Sequence, residues 1–178
     1  MKQWIVVIGV LMAAGFLGVG CGQQDQSEVI ATFALDDLNG LVDRDEELTL
    51  DHEETADGDG ALCIDAQGER LVKLFEVETA ELQNVRLVYT AQIKCIGIFG
   101  AAYLEMWCDF TNGDSRSSLG TKTAADRKTD WTTTSTHLDL REGEIPRRVR
   151  LNCILSSGGH VWLNDIELTA EAIPEGED

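Results

Sequence analysis

Val85-Arg86-Leu87-Val88-Tyr89-Thr90-Ala91-Gln92-Ile93-Lys94-Cys95 is the stretch on which the fold turns. Val85, Leu87, Tyr89, Ala91, Ile93 and Cys95 fall on one face. Arg86, Val88, Thr90, Gln92 and Lys94 fall on the other. A period of two marks a β-strand with one buried face, because successive side chains leave opposite sides of the pleat. The following run repeats the pattern, with Ala102, Leu104, Met106, Cys108 and Phe110 set against Tyr103, Glu105, Trp107 and Asp109.

Further along the chain, Val149, Leu151, Cys153 and Leu155 alternate with Arg148, Arg150, Asn152 and Ile154. Shorter candidates are Ala31–Leu35, Leu62–Asp65, Arg70–Val77, Trp131–Leu140 and His160–Thr169. Only Glu76–Leu82 has a brief helix-like composition, and there is no internal repeat. Eight or nine strands with Gly, Asn, Asp and Ser between them predict an all-β, antiparallel sandwich.

The whole chain has 178 residues, with 14 Lys+Arg against 32 Asp+Glu and a formal charge of −18. That length suits one domain with appendages. The charge excludes a phosphate-backbone binder, so no nucleic-acid partner is expected. A hydrophobic fraction of 43% argues against wholesale disorder. The acidity is uneven. Residues 22–60 hold 13 acidic residues and one basic one, whereas residues 61–178 hold 19 and 12. The ordinary reading of such a run is a solvated face. Asp57-Gly58-Asp59-Gly60 looks like part of an EF-hand loop but lacks that motif's further ligands.

Lys2 precedes 17 uncharged residues, Trp4–Gly20, which is the form of a secretory signal, with an uncleaved anchor as the competing reading. Leu17-Gly18-Val19-Gly20-Cys21, followed by the polar Gly22-Gln23-Gln24-Asp25, resembles the lipobox of bacterial lipoproteins. The leucine lies four residues before the cysteine rather than the usual three. The resemblance implies lipidation of Cys21 and a membrane-anchored protein of the bacterial cell envelope, facing the periplasm or the exterior, with ordinary cleavage that discards Cys21 or leaves it free as the alternative. The domain plan is a signal peptide at 1–20, a tether at 21–30, a sandwich at 31–169 and an acidic tail at 170–178.

Export leaves Cys63, Cys95, Cys108 and Cys153 in an oxidising compartment, where two disulfides in any of three connectivities are open to them. The alternative for each is a small buried apolar residue. No C-x-x-C pair is present and no histidine stands at a zinc-like interval from a cysteine.

Four segments then fall into a recognisable order: Gly58–Ile64, Val88–Ile93, Thr129–Thr132 and Gly159–Leu168. Together they resemble the galactose-binding-like jelly-roll carbohydrate-binding modules of the family 4/9 type, over residues 31–169. The resemblance implies a jelly-roll connection of two sheets. Strands near residues 62, 90, 135 and 164 would form one sheet, and those near 73, 106 and 151 the concave one. It makes strands 101–110 and 147–155 neighbours with Cys108 and Cys153 pointing inward. A Cys108–Cys153 disulfide is then expected first and Cys63–Cys95 by default. It also implies a structural calcium held by Asp165, by Asp57 and Asp59, and by Asp36 or Asp37.

On that mapping Tyr103, Glu105, Trp107 and Asp109 face out of the concave sheet beside Arg148, Arg150 and Asn152. Aromatic rings stack on the apolar faces of sugars while carboxylates, guanidiniums and amides take hydroxyls. The bland alternative is a set of charges paired across strands. Trp131 matches a core position in the family, and Trp162 faces outward or lies under a loop. An enzyme is not expected. Glu105 and Asp109 stand four residues apart on a strand, roughly 13 Å, which is too far for glycosidase carboxyls. No nucleophile motif accompanies His52, His137 or His160. The function expected is a non-catalytic glycan-binding envelope lipoprotein, with a structural or protein-binding lipoprotein as the alternative.

Overall fold

The computed structural model describes residues 27–79 and 82–173. Cys21 and the signal segment lie outside these residues. Nine strands follow in order: β1 (Glu28–Phe33), β2 (Leu48–Asp51), β3 (Ala61–Ala66), β4 (Arg70–Glu78), β5 (Val85–Phe110), β6 (Ser115–Leu119), β7 (Ala125–Asp139), β8 (Pro146–Leu155) and β9 (Gly159–Ala172). A single 3-10 turn, Thr121–Thr123, is the one helical element among the described residues. The outermost strands reach Glu28 and Ala172, three residues beyond the expected 31–169 at each end.

All pairings are antiparallel. The 26-residue β5 organises them. Its first half, through Ile96, lies between β9 and β7. Its second half, from Ala102, lies between β8 and β6. The first sheet is completed by β3 and β1 against β9, with β2 on β3. The second is completed by β4 against β8. This is the jelly-roll sandwich expected, with the strands divided between two layers as expected, although the bent β5 joins the layers into one nine-stranded sheet.

The two runs that alternate separately in sequence are thus one strand bent at its middle. The bend is made where the pairing with β7 slips repeatedly between Ile93 and Ala101. Extra residues in one strand of a pair sharpen its turn and re-aim its side chains. Gly97 sits there at φ +76, a conformation that costs glycine nothing and other residues strain. A Cβ on Gly100 would meet the Ser156 hydroxyl at 2.2 Å, so the β8–β9 turn can press against the bend.

The predicted inward residues form the core: Leu87, Tyr89, Ile93, Leu104, Met106, Leu151 and Leu155 are all fully buried. Leu35, Leu41 and Leu48 close one side of it from the N-terminal segment. The acidic run before residue 60 is therefore not only solvated surface. It carries β2 and a stretch that pairs Val42 and Asp43 with the edge of β4. Asp45 and Glu47 also take the Arg70 guanidinium.

Two expectations about the core are corrected. All four described cysteines are free thiols. Cys153 stands opposite Leu104, and Cys108 opposite Val149, so the two inward cysteines are offset by four residues along paired strands. Disulfide geometry needs Cα atoms within about 7 Å, which that offset, roughly 13 Å, exceeds. Cys63 pairs with Trp162 and Cys95 with Val161, so they flank β9 on opposite sides and opposite faces. Burial pushes the thiols of Cys108 and Cys153 up to about 12 and that of Cys63 up to about 11. Trp131 is the second correction. It is half-buried at a bulge of β7 rather than in the core, because the pairing jumps from Thr132 to Thr129 across Lys94.

Candidate functional site

The outer face of the second sheet is a grid set by register. On β5 and β8, Tyr103 faces Ile154, Glu105 faces Asn152, Trp107 faces Arg150 and Asp109 faces Arg148. On β4, Leu71, Lys73, Glu76 and Glu78 stand opposite Ile154, Asn152, Arg150 and Arg148. On β6, Leu119, Ser117 and Ser115 stand opposite Glu105, Trp107 and Asp109. All seven predicted ligand residues therefore share this face.

Each row has its own chemistry. Asn152 donates to Glu105 at 2.8 Å, and both are buried. The Arg150 guanidinium lies 5.3 Å from the Trp107 ring centroid, a cation–π distance. Arg150 also donates to Asp109 at 2.7 Å, and Arg148 bridges Asp109 at 3.0 Å and Glu76 at 3.1 Å. Partial burial opposes the Asp109 carboxylate, but the hydrogen bonds from Arg148 and Arg150 outweigh it and hold its pKa below the usual range. Arg150 Nε is buried without a partner.

A depression of about 200 Å³ opens among Leu71, Lys73, Phe75, Glu76, Glu105, Trp107, Arg150 and Asn152. Four of the seven predicted residues line it. Tyr103, Asp109 and Arg148 do not. Tyr103 lies one row away, while Asp109 and Arg148 form the ion network that orients Arg150. The β4 contribution was missed. A bulge between Lys73 and Phe75 breaks the period, so that Lys73 and Glu76 share a face although they differ in parity. A wider hollow of about 710 Å³ at the end of the sandwich carries His137, Arg116 and Arg141 but no Phe, Tyr or Trp. Its Arg116 is already paired with Glu144.

The outer face of the first sheet is covered over β9. Trp162 is 8% exposed and donates its indole N–H to Asp51 at 2.9 Å. Glu54 pairs with Lys94, whose amine lies 6.0 Å from the Trp162 ring. Asn164 donates to Asp57 at 2.9 Å. The acidic segment 51–57 thus straps this face.

At the end of that strap lie three of the expected calcium ligands. Asp165 is the bulged residue of β9, with φ +47. Partial burial, then the charges of Asp57 and Asp36, push its carboxyl pKa up. Asp59 is not among the groups acting on it. Asn164 is fully buried and its side-chain oxygen has no partner. These are hard oxygen donors of the kind calcium takes. As the side chains stand, no group of three His, Cys, Asp or Glu converges to hold a metal among the described residues.

No family model matches the chain. No curated protein matches it in sequence either. Solved structures do match. The xylan-binding CBM22-1 domain of Paenibacillus barcinonensis Xyn10C superposes with a TM-score of 0.62 at 9% identity, covering 84% of this chain and 99% of that one. The CBM22-1–CBM22-2 tandem of the same enzyme gives 0.63 at 11% identity, over 88% of this chain and 49% of that one. The CBM22-1–GH10 modules of Clostridium thermocellum xylanase 10B, complexed with xylohexaose, give 0.59 at 12% identity, over 79% of this chain. This chain spans 28% of that xylanase fragment. The fold is that of jelly-roll carbohydrate-binding modules.

Proposed function

We propose that the protein is a non-catalytic glycan-binding module of the bacterial cell envelope, held to a membrane through lipid on Cys21. The depression beside Trp107 carries the reading. It sets an aromatic ring beside a carboxylate, an amide, a guanidinium and the Lys73 ammonium. A sugar offers an apolar ring face and vicinal hydroxyls to such a set. Arg150 is held against the Trp107 ring and by Asp109, so its guanidinium stands fixed at the rim of the depression. The fold it shares with the xylan-binding domain supports the choice of ligand class. The anchor is supported by the lipobox-like segment and by the seven residues from Cys21 to Ser27 available as a tether before β1.

Calorimetric titration and a glycan array with residues 22–178 test the reading, with soluble xylan as the first probe. Binding that falls at least tenfold in Trp107→Ala, with the fold intact, is the expected result. An array on which no glycan binds, or a Trp107→Ala variant that binds as well as the parent, refutes it.

We further propose that Asp165, Asp57, Asp36 and the Asn164 side-chain oxygen take a structural calcium ion. The support is the pair of charges, Asp57 and Asp36, that act on the Asp165 carboxyl, and the orphaned Asn164 oxygen beside them.

A further inference from the structure

Phe75 lines two depressions. One is the Trp107 depression on the second sheet. The other, of about 250 Å³, lies over the side of the sandwich among Phe33, Asp36, Asp37 and Asn39. Phe33 rests on Phe75 with ring centroids 3.7 Å apart and planes 8° from parallel. Phe75 is buried, so one face of Phe33 is backed and its ring is held still, while Phe33 itself is only half-buried. The rim is fixed as well. Asn39 donates its backbone N–H and its side-chain amide to the two oxygens of Asp37, each at 2.7 Å, and both residues remain exposed. A supported aromatic ring beside a pinned carboxylate–amide pair repeats the chemistry of the first depression.

We infer that Phe33, Asp37 and Asn39 form a second sugar subsite, joined to the Trp107 depression across Phe75, so that the preferred ligand is an extended glycan chain. The inference rests on the glycan-binding reading. A chain engaging both depressions gains from the tethering of one contact to the other. A monosaccharide or short oligomer occupies only one. The charged groups of the second subsite are carboxylates, which accept hydroxyl protons and repel acidic sugars, so the units bound there are neutral.

The experiment is titration with β-1,4-linked xylo- and gluco-oligosaccharides of two to six units. The variants are Trp107→Ala, Phe33→Ala and the double substitution Asp37→Ala/Asn39→Ala. The double variant touches two exposed side chains bonded to each other, so it keeps the test valid if Phe33→Ala fails to fold. Asp36 is left unchanged because its charge acts on Asp165. Wild-type affinity should rise with chain length. The double variant should bind the hexamer about fivefold more weakly, or worse, and the dimer as the parent does. Trp107→Ala should weaken both. Equal affinity for dimer and hexamer in the parent, or an unchanged hexamer affinity in the double variant, overturns the second subsite alone. Failure of the parent to bind any oligomer overturns it together with the glycan-binding reading.

Discussion

Asn152 donates its side-chain amide to the Glu105 carboxylate at 2.8 Å, and the two stand directly opposite each other on β8 and β5. Both are less than 10% exposed. They connect the floor of the proposed site to the stability of the fold. Removing the amide leaves a largely buried carboxylate without its partner, which costs about 1–3 kcal/mol. Asn152→Ala should therefore lower the denaturant midpoint with an unchanged slope. Asn152→Asp should be worse at neutral pH, since it sets two carboxylates against each other. An Asn152→Ala variant as stable as the parent would mean that water serves Glu105 equally well.

The Arg148–Asp109–Arg150 cluster gives a pH signature. The Asp109 carboxyl is depressed below its ordinary value, near 3.9 when unfolded. A depressed carboxyl contributes stability that is present above the unfolded pKa and lost as pH falls through the folded one. The stability gap between the parent and Asp109→Asn should thus be constant above about pH 5 and shrink below about pH 4. Urea titrations across pH 2.5–7 measure it. A gap that persists unchanged at the acidic end would assign the effect to packing.

The free cysteines make the next test simple. With no disulfide to break, a reductant should leave the thermal midpoint unmoved. In the Cys21→Ser chain, unfolding without reductant should expose four titratable thiols, while the folded protein should react slowly. Cys153 is fully enclosed in the core. Cys153→Ser would bury a hydroxyl among apolar groups, for roughly 1–3 kcal/mol. Fewer than four thiols in the unfolded, unreduced chain would contradict the free-thiol structure.

The legible parts of this protein are those with a strict period. Val85–Cys95 and Ala102–Phe110 announced their buried faces, because a half-buried strand leaves no freedom in the alternation. What could not be read is what breaks the period. The bend joining those runs into β5 depends on register slips, which belong to the pair of strands and not to either alone. The same applies to Lys73 and Glu76, whose shared face follows from a bulge. Cys108 and Cys153 were correctly placed inward on neighbouring strands, yet direction does not give offset along the strand, and the offset forbids their bond. Leu35, Leu41 and Leu48 plug the core from an acidic segment whose composition hides them.

Anchoring has a direct readout. Cys21 is the acceptor proposed for the lipid, and replacing it with serine should move the protein from the membrane fraction to the soluble fraction when it is expressed in a bacterial host. The domain should stay folded in both, because Cys21 precedes the first strand by seven residues. Metabolic labelling with a fatty-acid analogue should mark the parent and spare Cys21→Ser. Retention of the serine variant in the membrane would instead make Trp4–Gly20 an uncleaved anchor.

The Asp165 corner is where the proposed calcium ion is tested. Partial burial and the charges of Asp57 and Asp36 raise the Asp165 carboxyl pKa, so the ionised form is disfavoured in the fold. Such a group contributes stability at pH below its unfolded value and loses it as pH rises through the folded one. At neutral pH without calcium, the corner is therefore a source of strain. Asp165→Asn removes one of the three charges, and asparagine tolerates the φ of +47 as well as aspartate does. The variant should melt higher than the parent in EDTA. Calcium should raise the melting temperature of the parent, because binding to the folded state alone stabilises it, and should leave Asp165→Asn unmoved. The two curves separate the ideas. A parent insensitive to both EDTA and calcium removes the metal but keeps the repulsion, whereas a parent more stable than Asp165→Asn in EDTA removes the repulsion itself.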